Sequence, residues 1–200
     1  MEKLRQVNSL IIIQKKEWGE ILTGFETKNK YLVRDNNGNV LYYAAEEGGS
    51  ILLRVLLQAL RPFTLVVLSK NDDIILRVNR PFRFIFHEAK IVDSRGDLLG
   101  ILKKRFSILR REYSVLDSTG EEIYQLVGPL LKPWTFFIKN NDEEYGKITK
   151  KWSGFLKEAF TDADNFGVIF PVDWDVKLKA LFLGAVFLID FVHFENKGDD

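Results

Sequence analysis

From Ala180 to Ile189 the chain runs Ala-Leu-Phe-Leu-Gly-Ala-Val-Phe-Leu-Ile without a polar side chain. On a helix such a run is apolar all round, so protein or lipid must cover it. Burying one large apolar side chain is worth roughly 1.5–3 kcal/mol, so leaving this segment in water would cost on the order of 10 kcal/mol or more. Asp173 is the expected N-cap, with Asp175 in the first turn. Ten helical residues rise only about 15 Å against a hydrocarbon core of about 30 Å. Extending the helix from Val176 to Phe194 reaches about 28 Å but takes in Lys177, Lys179, Asp190 and His193. The lysines could snorkel, whereas Asp190 has no evident partner near the other end. A helix wrapped by protein is favoured over a transmembrane span. Leu181, Phe182, Gly184, Ala185, Phe187, Leu188 and Ile189 are its central positions.

The rest of the chain supplies the wrapping. Five times an apolar run meets a polar turn and a second apolar run: Tyr31–Val33 with Val40–Tyr43, Thr64–Leu68 with Ile74–Leu76, Lys90–Val92 with Leu98–Leu102, Tyr113–Leu116 with Ile123–Leu126, and Trp134–Ile138 with Tyr145–Ile148. The Asn, Asp and Gly residues between them supply the positive φ angles that tight hairpins need. Adding Leu10–Gln14 and the stretch before Tyr31 gives about twelve strands. So many antiparallel strands must close on themselves or pack as two sheets, because open edges invite aggregation. Arg61-Pro62-Phe63 and Arg80-Pro81-Phe82 suit strand starts or edges, where a missing N–H is tolerated. Ile51–Leu60 is a candidate short helix. No linker appears, so residues 1–200 are expected to form one domain, with a core over about 20–195 and a polar tail at 196–200.

With a formal net charge of +1 there is no global pull toward polyanions, and any attraction must come from a local patch. The absence of cysteine excludes disulfides, thiolate metal sites and S-palmitoylation. Leu10–Ile13 is too short for the apolar region of a signal peptide, so the expected location is the cytoplasm or the cytoplasmic face of the plasma membrane. No nucleophile–base constellation or nucleotide-binding motif is visible, and His87 and His193 lie far apart in sequence. Covalent catalysis is not expected.

Two clusters could carry binding. Against a twelve-residue calcium loop, Asp162 and Asp164 fall at positions one and three, Gly167 at the turn-making sixth and Asp173 at the twelfth. Phe166 and Phe170 stand where oxygen ligands belong, and the last residue is not a bidentate Glu. A solvated acidic turn is favoured over a tight site, and a weak Ca2+ site remains the alternative. Lys103, Lys104, Arg105, Arg110 and Arg111 form a basic cluster on an expected strand pair. It is either a solvated face or a contact for anionic lipid headgroups; its aromatics form no base-stacking motif, and no nucleic acid partner is expected.

The chain resembles the phospholipid scramblase family. The resemblance rests on Glu20–Tyr31, on Arg61-Pro62-Phe63-Thr64-Leu65 and, most densely, on Gly146-Lys147-Ile148 through Trp152, Glu158–Gly167, Phe170-Pro171, Asp173, Asp175–Ala180, Gly184-Ala185 and Phe187–Phe191. It implies a mainly β, tubby-like fold: a closed antiparallel barrel of about twelve strands around a central hydrophobic C-terminal helix. It also implies calcium-stimulated, bidirectional movement of phospholipids between membrane leaflets, with Asp162–Asp173 as the calcium segment. The proline-rich N-terminal region of better-known members is missing. Their palmitoylated cysteine-rich stretch corresponds here to Arg83-Phe84-Ile85-Phe86-His87. The alternative function is a soluble tubby-like module that binds anionic lipid or another partner without transport. Lipid transport needs a polar path through hydrocarbon, which one short helix does not offer and oligomerisation could build.

Overall fold

The computed structural model describes residues 1–14, 29–48, 62–82, 87–150 and 165–194. The strands are β1 (Ser9–Gln14), β2 (Lys30–Arg34), β3 (Val40–Glu46), β4 (Phe63–Leu68), β5 (Ile74–Arg80), β6 (Glu88–Asp93), β7 (Leu98–Arg105), β8 (Arg110–Asp117), β9 (Glu122–Pro129), β10 (Thr135–Asn140), β11 (Glu143–Lys150) and β12 (Asn165–Ile169). Each pairs antiparallel with the next, and β1 pairs with β12, so the sheet closes into a barrel without an edge. A short 3-10 turn at Glu2–Leu4 precedes β1, and a helix, α1 (Val176–His193), follows β12.

The five expected hairpins are β2–β3, β4–β5, β6–β7, β8–β9 and β10–β11. Each turn contains at least one residue with positive φ, as at Gly96 and Gly120 (both 90°) and Asp72 (62°). Three begin with an aspartate whose carboxylate accepts two backbone N–H bonds. Asp35 takes those of Asn37 and Asn39 at 2.9 and 2.8 Å, Asp93 those of Arg95 and Asp97 at 2.8 and 3.0 Å, and Asp117 those of Thr119 and Glu121 at 2.8 and 3.0 Å. The side chain thus stands in for a backbone turn partner.

The twelve-strand total is met differently from the sequence expectation. The twelfth strand is Asn165–Ile169, inside the supposed calcium loop; the stretch before Lys30 lies mostly outside the described residues, as does Ile51–Leu60. Pro62 immediately precedes β4 and Pro81 immediately follows β5, so both prolines sit at strand ends.

The barrel is filled by α1. Lys179 through Phe191 are buried, and the helix packs on β5, β6, β7, β12 and the N-terminal turn. Gly184 lets the helix come close to the wall: a Cβ there would lie 2.6 Å from Ile91 Cγ1. Phe187 meets Tyr31 edge-on at 5.0 Å, and Phe191 stacks on Phe63 at 3.9 Å. The N-cap is Asp175, not Asp173: its carboxylate accepts the Lys177 N–H at 2.8 Å. Of the polar residues that complicated the helix, the two buried ones are both satisfied inside the protein. Lys179 Nζ donates to the carbonyls of Leu4, Arg5 and Val172 at 3.2, 2.9 and 2.6 Å. Asp190 accepts from the Tyr31 hydroxyl at 2.7 Å, with Lys150 Nζ 3.9 Å away. Among the described residues no helix is long and apolar enough to cross a membrane.

Candidate functional site

The antiparallel order gives the barrel two unlike poles. One carries the five tight turns, each with more acidic than basic residues. The other carries the remaining connections, of which β7–β8 (106–109) and β9–β10 (130–134) are fully described. The helix begins at the turn pole and ends at the loop pole, where the Tyr113 hydroxyl lies 2.9 Å from His193 Nε2.

The basic cluster lies at the loop pole, but strand alternation divides it. Lys103 and Arg105 face outward on β7 and are exposed, as is Arg110 at the start of β8. Lys103 stands opposite Glu88 and Ser114 in the sheet. Arg105 reaches Glu122 at 3.3 Å and Arg110 lies 4.0 Å from Glu112. Lys104 and Arg111 turn toward the barrel mouth and are half-buried. Burial, then the neighbouring Arg80 charge, pulls the Lys104 ammonium below its usual range. Arg111 is a tether: its guanidinium donates to the carbonyls of Pro133 and Lys132 at 2.7 and 3.1 Å and lies over the Phe136 ring, 4.5 Å from its centroid. It fixes the β9–β10 loop against the β7–β8 hairpin. The cluster is therefore three outward cations and two that turn inward, of which Arg111 is the tether.

Inside the same mouth the buried Arg80 guanidinium meets His87 Nδ1. Burial, followed by the charges of Arg80 and Lys104, lowers the His87 pKa to about 4. His87 is neutral at physiological pH and accepts from Arg80. His87 and His193 have different partners, Arg80 and Tyr113.

Within the calcium segment, Gly167 does not take the turn position its spacing suggested. Gly167 is buried in β12, paired with Ile11 on one side and Thr149 on the other, and makes no turn. β12 runs from the loop pole, where Asn165 opens it, to the turn pole, so Asp173 sits exposed beyond its far end. A strand advances about 3.3 Å per residue, which sets the two ends of this one about 13 Å apart. Asp162 and Asp164 themselves lie outside the described residues. Among the described residues no group of three or more acidic or histidine side chains could hold a metal ion. Paired on both sides, Gly167 does not supply the turn that a twelve-residue loop needs at its sixth position.

Sequence reasoning passed over the apolar tips between the cations. Phe106, Ile108 and Leu109 are 79%, 80% and 73% exposed, and Leu130 and Leu131 58% and 97%. The available signal was apolar residues at positions where a loop ordinarily carries polar ones.

The sequence pattern of the scramblase family matches residues 1–196. The chain belongs to the scramblase family. It is 37% identical over 214 residues to phospholipid scramblase 1 of Mus musculus and 36% identical over 212 residues to that of Homo sapiens, covering 100% and 99% of this chain. It is 34% identical over 211 residues to phospholipid scramblase family member 5 of Homo sapiens, covering 98% of this chain. The chain spans 65%, 66% and 77% of those three proteins. A protein from Arabidopsis thaliana solved by X-ray crystallography shares the fold, with a TM-score of 0.50 at 12% identity, covering 93% of this chain and 94% of that one. The closed barrel around a central helix is the tubby-like architecture of this scramblase-family domain.

Proposed function

We propose that this protein acts at phospholipid membranes and promotes bidirectional movement of phospholipids between leaflets. The observation that carries the proposal is the identity of about a third, over essentially the whole chain, to proteins named phospholipid scramblases. The chemistry is translocation, with no covalent step. The outward cations Lys103, Arg105 and Arg110 supply attraction for anionic headgroups; each such charge near a membrane surface is worth about 1 kcal/mol. Calcium stimulation belongs to the same proposal, with Asp162 and Asp164 as its acidic residues and without Gly167 or Asp173 as ligands. The cytoplasmic face of the plasma membrane is the proposed location.

The test is reconstitution into liposomes carrying fluorescent phospholipid, with an impermeant reductant bleaching the outer leaflet. The expected result is bleaching beyond the outer-leaflet fraction, faster with calcium. Bleaching that matches protein-free vesicles at every calcium concentration would overturn transport. The second reading is a tubby-like module that binds anionic lipid without moving it. It is favoured by the enclosure of α1, whose Lys179 is held by the N-terminal turn and the segment after β12 and whose Asp190 is held by Tyr31 of the barrel. Binding to anionic vesicles without transfer would establish it.

A further inference from the structure

We infer that the loop pole enters the membrane surface tip-first: the apolar ends of β7–β8 and β9–β10 insert among the acyl chains of an anionic phospholipid bilayer, and the surrounding cations rest on the headgroups. This rests on the proposal that the protein works at a phospholipid membrane and on neither transport nor calcium.

Three observations carry it. First, exposed large apolar side chains are concentrated at one pole. Phe106, Ile108, Leu109, Leu130 and Leu131 project from two adjacent loops, with Phe82 and Trp134 at the same end; among the described residues only Val172 lies at the other. Soluble surfaces scatter such residues singly, and a contiguous group marks an interaction site. Second, the two segments that bear the tips are cationic, although Glu88, Glu122 and Glu112 lie beside Lys103, Arg105 and Arg110 on the barrel wall. From Lys103 to Arg111 and from Pro129 to Asn140 there is no acidic residue, while Lys103, Arg105, Arg110 and Lys132 are all exposed. Cations flanking an apolar tip suit a surface that is anionic outside and hydrocarbon beneath. Third, the tips are held in place. Arg110 and Arg111 stand opposite Pro129 and Gly128 in the β8–β9 ladder, and Arg111 donates to the carbonyls of Lys132 and Pro133. The two loops therefore act as one pre-ordered wedge with little entropy left to lose on insertion. The acidic turns, at the opposite pole, face away from the anionic surface.

The absence of cysteine makes the test direct, because each introduced thiol is unique. Ile108→Cys, Leu131→Cys and, at the turn pole, Ser118→Cys are each labelled with an environment-sensitive fluorophore and mixed with phosphatidylcholine–phosphatidylserine vesicles. Co-sedimentation measures binding in parallel. The expected result is a blue shift at positions 108 and 131, quenched by spin-labelled acyl chains, and none at 118. The pair Ile108→Ser and Leu131→Ser should weaken vesicle binding by about tenfold or more with an unchanged thermal melt. Sedimentation with vesicles while the 108 and 131 probes stay water-like would overturn the inference and leave membrane action standing. No sedimentation at all would overturn both. A dimer in vesicle-free solution that the same serine pair converts to monomer would overturn it in favour of a second copy as the occupant.

Discussion

Asp190 is the residue on which the identity of the C-terminal helix turns. In sequence it is an acid at the end of an apolar run, and its partners are out of view because Tyr31 and Lys150 reach it only once the barrel closes. In the structure it accepts from Tyr31 at 2.7 Å and faces Lys150 at 3.9 Å, fully enclosed. Removing one member of a buried charged set leaves the others desolvated, so Asp190→Ala should cost about 3–5 kcal/mol in urea unfolding. Asp190→Asn keeps an acceptor for Tyr31 and should cost less. His87 makes a prediction in pH. Its folded pKa of about 4 lies below the unfolded value of 6.5, so the unfolded chain takes up the proton first. The stability that His87 provides is complete above about pH 6.5 and declines toward pH 4, by up to about 1.4 kcal/mol per pH unit. His87→Gln, which keeps an acceptor for Arg80, should flatten that part of the stability profile. Equal slopes in the two proteins would refute the assignment.

At the scale of elements, what could be read from sequence was what local chemistry decides. A hairpin needs a residue tolerant of positive φ between two apolar runs, and all five met that condition within a few residues of chain. β12 was missed because Asn165-Phe166-Gly167 follows two aspartates at calcium-loop spacing, and five residues carry little periodicity with which to contest that pattern. Only pairing to Ile11 and Thr149, far away in sequence, makes Gly167 a strand residue. The helix start shifted for a similar reason: Asp173 and Asp175 are both good caps, and the backbone selected the one whose carboxylate reaches Lys177 N–H. Asp175→Ala should therefore cost about 1 kcal/mol, and Asp173→Asn much less, in the same unfolding assay. Because Asp173 lies beyond the end of β12 opposite Asn165, Asp173→Asn should also leave any calcium dependence of lipid movement unchanged. A lost calcium response in that variant would restore the single-loop arrangement.

At the scale of the molecule, the barrel and its helix oppose the simplest route to transport, in which α1 leaves the barrel to span the bilayer. Withdrawal would strip the apolar lining of the barrel and break the hydrogen bonds of Lys179 and Asp190 together. A protein that keeps its helix must instead act through its surface, and the unequal poles offer one end suited to disturbing a bilayer. The two routes can be separated by a covalent lock. A Cβ at position 184 would lie 2.6 Å from the Ile91 Cγ1 position, close to where a bonded sulfur would stand, and disulfides join Cβ atoms about 3.5–4.5 Å apart. The pair Ile91→Cys and Gly184→Cys should therefore oxidise to pin α1 to β6, visible as a mobility shift without reductant and as a gain of about 2–4 kcal/mol in stability. If the intact barrel is the active form, the oxidised protein should move lipid as fast as its reduced form. Activity that vanishes on oxidation and returns with reductant would mean that the helix has to leave, and would overturn the enclosed-helix account of how this domain works.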